Sequence, residues 1–176
     1  FDCSPITDGA AAIILSKEKR SDRDIEVIGS AFVTDTLSLT QRKDFTTFLA
    51  TKIAAKKAYE QAGITPRKID IAEVHDCFTI AELMAMEDIG FCEKGKSGKM
   101  VEAGETKIGG SIPINTSGGL KGCGHPVGAT GVKQVVEATW QLRGEAEGRQ
   151  VKDPNIGLTH NVGGSGATAV VHIFKK

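Results

Sequence analysis

The chain has no surplus of charge of either sign: 22 lysines and arginines stand against 22 aspartates and glutamates in 176 residues. A balanced surface lacks the electrostatic footprint of a general nucleic-acid or membrane-surface binder, so no nucleic acid and no membrane is expected among its partners. No apolar run approaches the roughly 18–20 residues of a membrane span, and no secretory signal pattern is visible. Cysteine is sparse. Cys3, Cys77, Cys92 and Cys123 are scattered without the spacing of a disulfide framework, which reads as reduced thiols in a cytoplasmic or organellar protein. The GxxxxGK[ST] spacing of a nucleotide P-loop is missing, and no internal repeat is present. The opening "FDCSPITDGAA" has no initiator methionine, and the expectation is a piece of a longer polypeptide.

What is present alternates between two hydrophobic periods. "GAAAIILSK" (9–17) reads as a central strand, "IEVIGSAFVTD" (25–35) as a second, and "IAEV" (71–74) as a short third. "NIGLTHNV" (155–162) and "ATAVVHIFK" (167–175) read as two more, joined by Gly-Gly-Ser-Gly. Helices are expected over 46–63, stopped by Gly63, over 79–90, begun by Thr79 and stopped by Gly90, and from Gly131 to about Arg143. Residues 91–114 read as a long Gly- and Lys-rich loop, a length that often carries function. The sum is one α/β domain with a mixed five-stranded sheet and helices on its faces.

Three stretches lie where strands end or helices begin, the places where open α/β sheets bind ligands. In "EVHDCFT" (73–79), His75, Asp76 and Cys77 occupy the turn before a helix, whose N-terminus would favour a thiolate. The plainer alternative is a filler cysteine, a satisfied core imidazole and a capping aspartate. In "KGCGHPVGATG" (121–131), glycines let the backbone come close to something, Pro126 stiffens the turn after His125, and the following helix start offers N–H groups to an anion. The alternative is a glycine-rich turn with a surface histidine. In "THNVGGSGA" (159–167), His160 and Asn161 end an apolar strand, and the alternative is an ordinary hairpin. A zinc site built from His75, Cys77, Cys123 and His125 is the chemical rival. One intervening residue, however, points neighbouring side chains apart along an extended chain, and structural zinc sites use wider spacings. No metal is therefore expected, and a thiol beside an imidazole is the better chemical reading.

Taken in order, "DGAAA" (8–12), "HDCF" (75–78), "NTSGGLKGCGHPVGATG" (115–131) and "HNVGGSGA" (160–167) resemble the C-terminal half of a thiolase, of the sterol-carrier-protein-type and archaeal acetyl-CoA acetyltransferase subgroup. The resemblance covers residues 1–176 as one thiolase C-terminal domain and implies one of two similar βαβαβαββ halves. The implied chemistry is reversible Claisen condensation of acyl-CoA, or its thiolytic reversal, with coenzyme A and acyl-CoA as substrates and no covalently bound cofactor. The family's nucleophilic cysteine belongs to the N-terminal half, so none of the four cysteines here is expected to be that nucleophile.

By the same resemblance His125 activates the nucleophilic thiol and helps hold the thioester oxygen. His75 stands where most thiolases have an asparagine that positions an oxyanion-hole water. His160 stands where most have a second cysteine, and Cys77 supplies the acid/base thiol instead. Asn161, Val162, Gly163 and Gly164 would contribute to a second oxyanion hole, and Gly124 and Gly128 would let the CoA thioester approach. Cys123 reads as structural. The implied partners are the N-terminal thiolase half, in the same or a companion chain, and further copies in a homo-oligomer. Two alternatives stay open: a thiolase-like aldolase of CoA-linked side chains, and a non-catalytic scaffold subunit holding an OB-fold, zinc-bearing protein.

Overall fold

The computed structural model describes residues 1–176. Four strands form one mixed sheet: β1 (Glu26–Thr34), β2 (Ile71–Glu73), β3 (Ile156–Gly163) and β4 (Thr168–Lys175), in the order β1-β4-β3-β2. The β1/β4 and β4/β3 pairs are antiparallel and β3/β2 is parallel. Parallel pairing needs a long crossover, and the chain between β2 and β3 supplies it with α2 (Thr79–Ile89), α3 (Ser97–Glu102), α4 (Gly119–Cys123) and α5 (Thr130–Arg143). The remaining helix, α1 (Leu49–Ala62), lies between β1 and β2. Gly63 and Gly90 end α1 and α2 in the left-handed conformation that glycine adopts without a Cβ penalty.

The strand pleat sorts side chains to two faces. One face carries Ala72, Leu158, Val162, Ala169, Val171 and Ile173 against the small-residue stripe Ala50, Ala54, Ala55 and Ala58 of α1 and Ala85, Met86 and Ile89 of α2. The other carries Ile71 and Phe174 against Ala138 and Leu142 of α5. Burying a side chain such as Leu158 in full contributes roughly 1.5–3 kcal/mol. The inner face of α5 is largely polar, and its groups are paired. Arg149 grips Glu137 through two bonds of 2.9 and 2.8 Å, and Gln141 bonds to Thr116, Glu137 and the Arg149 carbonyl.

Three expectations need correction. The sheet has four strands, not five, because residues 9–17 form no ladder. Their aliphatic side chains stay outside the core, with Ile14 96% and Leu15 76% exposed. Apolar content makes a strand only where a neighbouring strand offers its N–H and C=O groups. Here the amino-terminal segment runs instead along the loops above the sheet, with single bridges Cys3↔Phe78 and Ile6↔His125. Residues 91–114, read as loop, contain the short helix α3. Residues 119–123, read as part of a glycine-rich turn, form the short helix α4; the other helices and strands fall within a few residues of their expected limits.

Candidate active site

β2 ends at Glu73, and His75, Asp76 and Cys77 follow before α2 begins. His125 lies in the turn between α4 and α5. The two loops meet: the His75 and His125 rings stand edge to face, with centroids 5.0 Å apart and planes at 83°. His75 is 5% exposed. Burial, and then the neighbouring His125, push its pKa down to about 4, so it is a neutral imidazole at physiological pH. His160 is 1% exposed on β3, with Nε2 2.8 Å from Thr51 Oγ1 of α1. Burial, with His75 as a second cause, holds it down to about 3. Both histidines keep Nδ1 without a hydrogen-bond partner in the chain.

The carboxylates around these rings hold the loops. Asp76 Oδ1 accepts the Leu120 N–H at 2.8 Å, so it caps the neighbouring helix α4 rather than its own α2. Thr79 likewise leaves α2 uncapped by its side chain and donates to Asp2 Oδ1 at 3.2 Å. Glu73 accepts from Ser117 N–H at 3.1 Å and from Ser117 Oγ at 2.6 Å. Lys133 Nζ donates to the same Ser117 Oγ at 2.8 Å. Burial raises the Glu73 carboxyl to about 7 against the opposing pull of Ser117 and Lys133. Asn115 joins β2 to α2, accepting the Val74 N–H at 2.8 Å and donating to Glu82 at 2.9 Å. The "NTS" triplet is thus the staple that sets the glycine loop against the end of β2.

Cys77 departs from expectation. Its thiol is raised, not lowered, by burial, with the Asp76 charge and Cys3 adding to that and the Phe78 N–H opposing it. The helix begins two residues later, at Thr79, and the Phe78 N–H at its start does not outweigh desolvation.

His160 and Asn161 do not act as a pair either. The pleat sends His160 toward Thr51 of α1, and Asn161 toward α5, where it donates to Gln134 Oε1 at 3.1 Å. Val162 is core. Gly163 and Gly164 sit at the exposed tip of the β3–β4 hairpin. Gly124 has φ +83°, and a Cβ there would lie 2.5 Å from Thr7 Oγ1, so the amino-terminal segment closes directly over the glycine loop. Gly128 lines an open groove of about 430 Å³ between residues 7–11 and 126–129. Cys123 is exposed and donates to the Ser117 carbonyl at 2.7 Å. No three of the His, Cys, Asp and Glu side chains cluster as metal ligands.

A family model described as thiolase C-terminal domain-like matches residues 31–176. The chain belongs to this family. Among relatives of this thiolase C-terminal domain, an acetyl-CoA acetyltransferase of Methanothermobacter thermautotrophicus is 52% identical over 100% of the chain and 47% of its own length. An acetyl-CoA acetyltransferase of Methanocaldococcus jannaschii is 44% identical over 98% of the chain and 47% of its own length. Sterol carrier protein 2 of Oryctolagus cuniculus is 42% identical over 99% of the chain and 34% of its own length. The domain therefore spans about half the length of the acetyltransferases it matches. Among solved structures, the Ltp2-ChsH2(DUF35) aldolase is similar with a TM-score of 0.75 at 25% identity, covering 84% of this chain and 39% of that one.

Sequence reasoning singled out the two histidine loops but missed what holds them: Thr51, Glu73, Asn115, Ser117 and Thr130. The polar triplet 115–117, sitting just before the glycines, was the available signal.

Proposed function

We propose that the chain is the C-terminal half of an acetyl-CoA acetyltransferase or 3-oxoacyl-CoA thiolase. It would act on CoA thioesters together with an N-terminal half that supplies the nucleophilic cysteine. The observation that carries this reading is the meeting of the His75 and His125 rings at 5.0 Å, with Cys77 two residues along the same loop.

His125 accepts the proton of the nucleophilic thiol as it attacks the acyl-CoA carbonyl, and CoA leaves as its thiol. Cys77, as thiolate, then takes the α-proton of acetyl-CoA while donors hold the enolate oxygen. A thiol raised by burial is scarce as thiolate but a stronger base once formed, which suits abstraction of a weakly acidic α-proton and its later return. His75, neutral, is a hydrogen-bonding partner that positions an oxyanion-hole water rather than a cation, and His125 helps hold the thioester oxygen. His160 stays beside His75 in this reading, and the backbone of Asn161 and Val162–Gly164 is assigned to a second oxyanion hole; Gly124 and Gly128 are assigned to the CoA approach. Self-association through the full-length enzyme and a cytoplasmic location accompany this reading; no helix of the chain is long and apolar enough to cross a membrane.

The similarity to the Ltp2-ChsH2(DUF35) aldolase supports a second reading, a retro-aldol cleavage of CoA-linked side chains or a docking role toward a DUF35-type partner. Presence of both Cys77 and His125 favours thiolysis. The test is CoA-dependent cleavage of acetoacetyl-CoA by the full-length protein. Cys77→Ala and His125→Ala are each expected to lower kcat by about 100-fold or more. Unchanged activity in both variants, or cleavage that needs no free CoA, overturns the thiolase assignment. Alone, without the other half, the chain is expected to be inactive.

A further inference from the structure

Thr130 is the first residue of α5 and is 1% exposed. Its Oγ1 meets two groups, His125 Nδ1 at 2.7 Å and the Pro126 carbonyl oxygen at 3.1 Å. A hydroxyl has one proton, and a carbonyl oxygen only accepts. If Thr130 gives its proton to Pro126, the short contact to His125 requires that Nδ1 be the donor. The opposite assignment sets a hydroxyl lone pair against the carbonyl oxygen at 3.1 Å. The Pro126 carbonyl also accepts the Ala129 and Thr130 N–H groups at 2.8 and 2.9 Å, which fixes the turn and makes the hydroxyl a third donor to it. Serine and threonine in a helix commonly bond back to the carbonyl four residues earlier in this way.

We infer that Thr130 is a positioning residue: it holds His125 as the Nδ1–H tautomer and leaves Nε2 as the nitrogen that takes a proton. Which nitrogen of a histidine reacts is set by the bond that the other nitrogen makes. The His-to-Thr spacing of five residues, bridged by a proline whose carbonyl organises the helix start, therefore does more than turn the chain. The tautomer stands on geometry alone, while its role in catalysis rests on the thiolase reading above.

The test is a two-bond 1H–15N correlation spectrum of the full-length protein labelled at histidine, with His125 assigned by comparison with His125→Gln. In its uncharged form His125 is expected to show a protonated Nδ1 and a bare Nε2, unchanged in Thr130→Ser. In Thr130→Val the Nε2–H form is expected to gain population, and kcat to fall by about 10-fold with KM nearly constant, as for other histidines robbed of an orienting partner. An Nε2–H histidine in the unmutated protein overturns the inference, and so does a Thr130→Val spectrum identical to it. Should Thr130→Val not fold, the unmutated and Thr130→Ser spectra still decide. A protonated Nδ1 in a protein that cleaves no thioester supports the tautomer and overturns only the functional reading.

Discussion

The segment Gly9–Leu15 and the stretch Ile69–Val74 are both short, apolar and β-prone, yet they end in opposite environments. The first leaves Ile14 and Leu15 largely in solvent. The second is buried from Ile71 through Asp76, paired in parallel register with Gly157–Thr159 and delivering His75 to the site. The difference lies in partners rather than composition. Ile69–Val74 has a strand beside it, Asn115 bonded to its Val74 N–H, and helices over both faces. Gly9–Leu15 has a loop below it, where a Cβ on Gly9 would lie 2.8 Å from Pro126 Cγ, and no ladder.

The sharpest way to break this contrast is by truncation on each side of it. Leu158→Ala, in the fully buried core next to β2, is expected to cost about 2–5 kcal/mol in urea unfolding. Ile14→Ala is expected to change stability by no more than about 0.5 kcal/mol. Comparable losses would mean that the amino-terminal segment is as much a part of the cooperative core as β2.

The buried end of β2 also stores a pH dependence. The unfolded chain protonates its histidines near 6.5, whereas folded His75 and His160 resist until about 4 and about 3. Their contribution to stability is complete above 6.5 and is lost as pH falls toward 4. Glu73 has the opposite sign. Its folded value of about 7 lies above the ordinary 4.5, so its contribution is complete below 4.5 and is lost as pH rises through 7. At about 1.4 kcal/mol per pKa unit, the two histidines outweigh the one carboxylate on the acid side. The melting temperature is therefore expected to fall on acidification below pH 6. Glu73→Gln should flatten the alkaline flank and leave the acid flank in place. An acid flank that survives replacement of both His75 and His160 would remove the histidines as its cause.

A third contrast lies in the seam between the regions. Gly124→Ala forces a Cβ onto backbone at φ +83°, ψ 169°, a conformation essentially confined to glycine, and against Thr7, and is expected to cost about 1–3 kcal/mol. It should also expose residues 1–8 to limited proteolysis. Adding Thr7→Gly should recover the steric part of the stability loss. Unaltered cleavage in Gly124→Ala would show that the glycine does not hold the segment down.

The sequence by itself determined the alternation of strands and helices, the stops at Gly63 and Gly90, and the two loops bearing His75 and His125. These rest on local physics: hydrophobic period, the left-handed tolerance of glycine, and the rigid φ of proline. Only the tertiary structure decided the rest. Whether residues 9–17 become a strand depends on a ladder partner, which no local pattern contains. The pleat of β3 and the elements packed on its two faces separate His160 from Asn161. The Cys77 thiol is moved by burial, a property of everything packed around it, and burial outweighs the helix end that sequence could see. Thr130 counts only because the Pro126 turn folds it back on His125, five residues earlier, where its hydroxyl proton goes to the Pro126 carbonyl and its oxygen is left to accept from Nδ1.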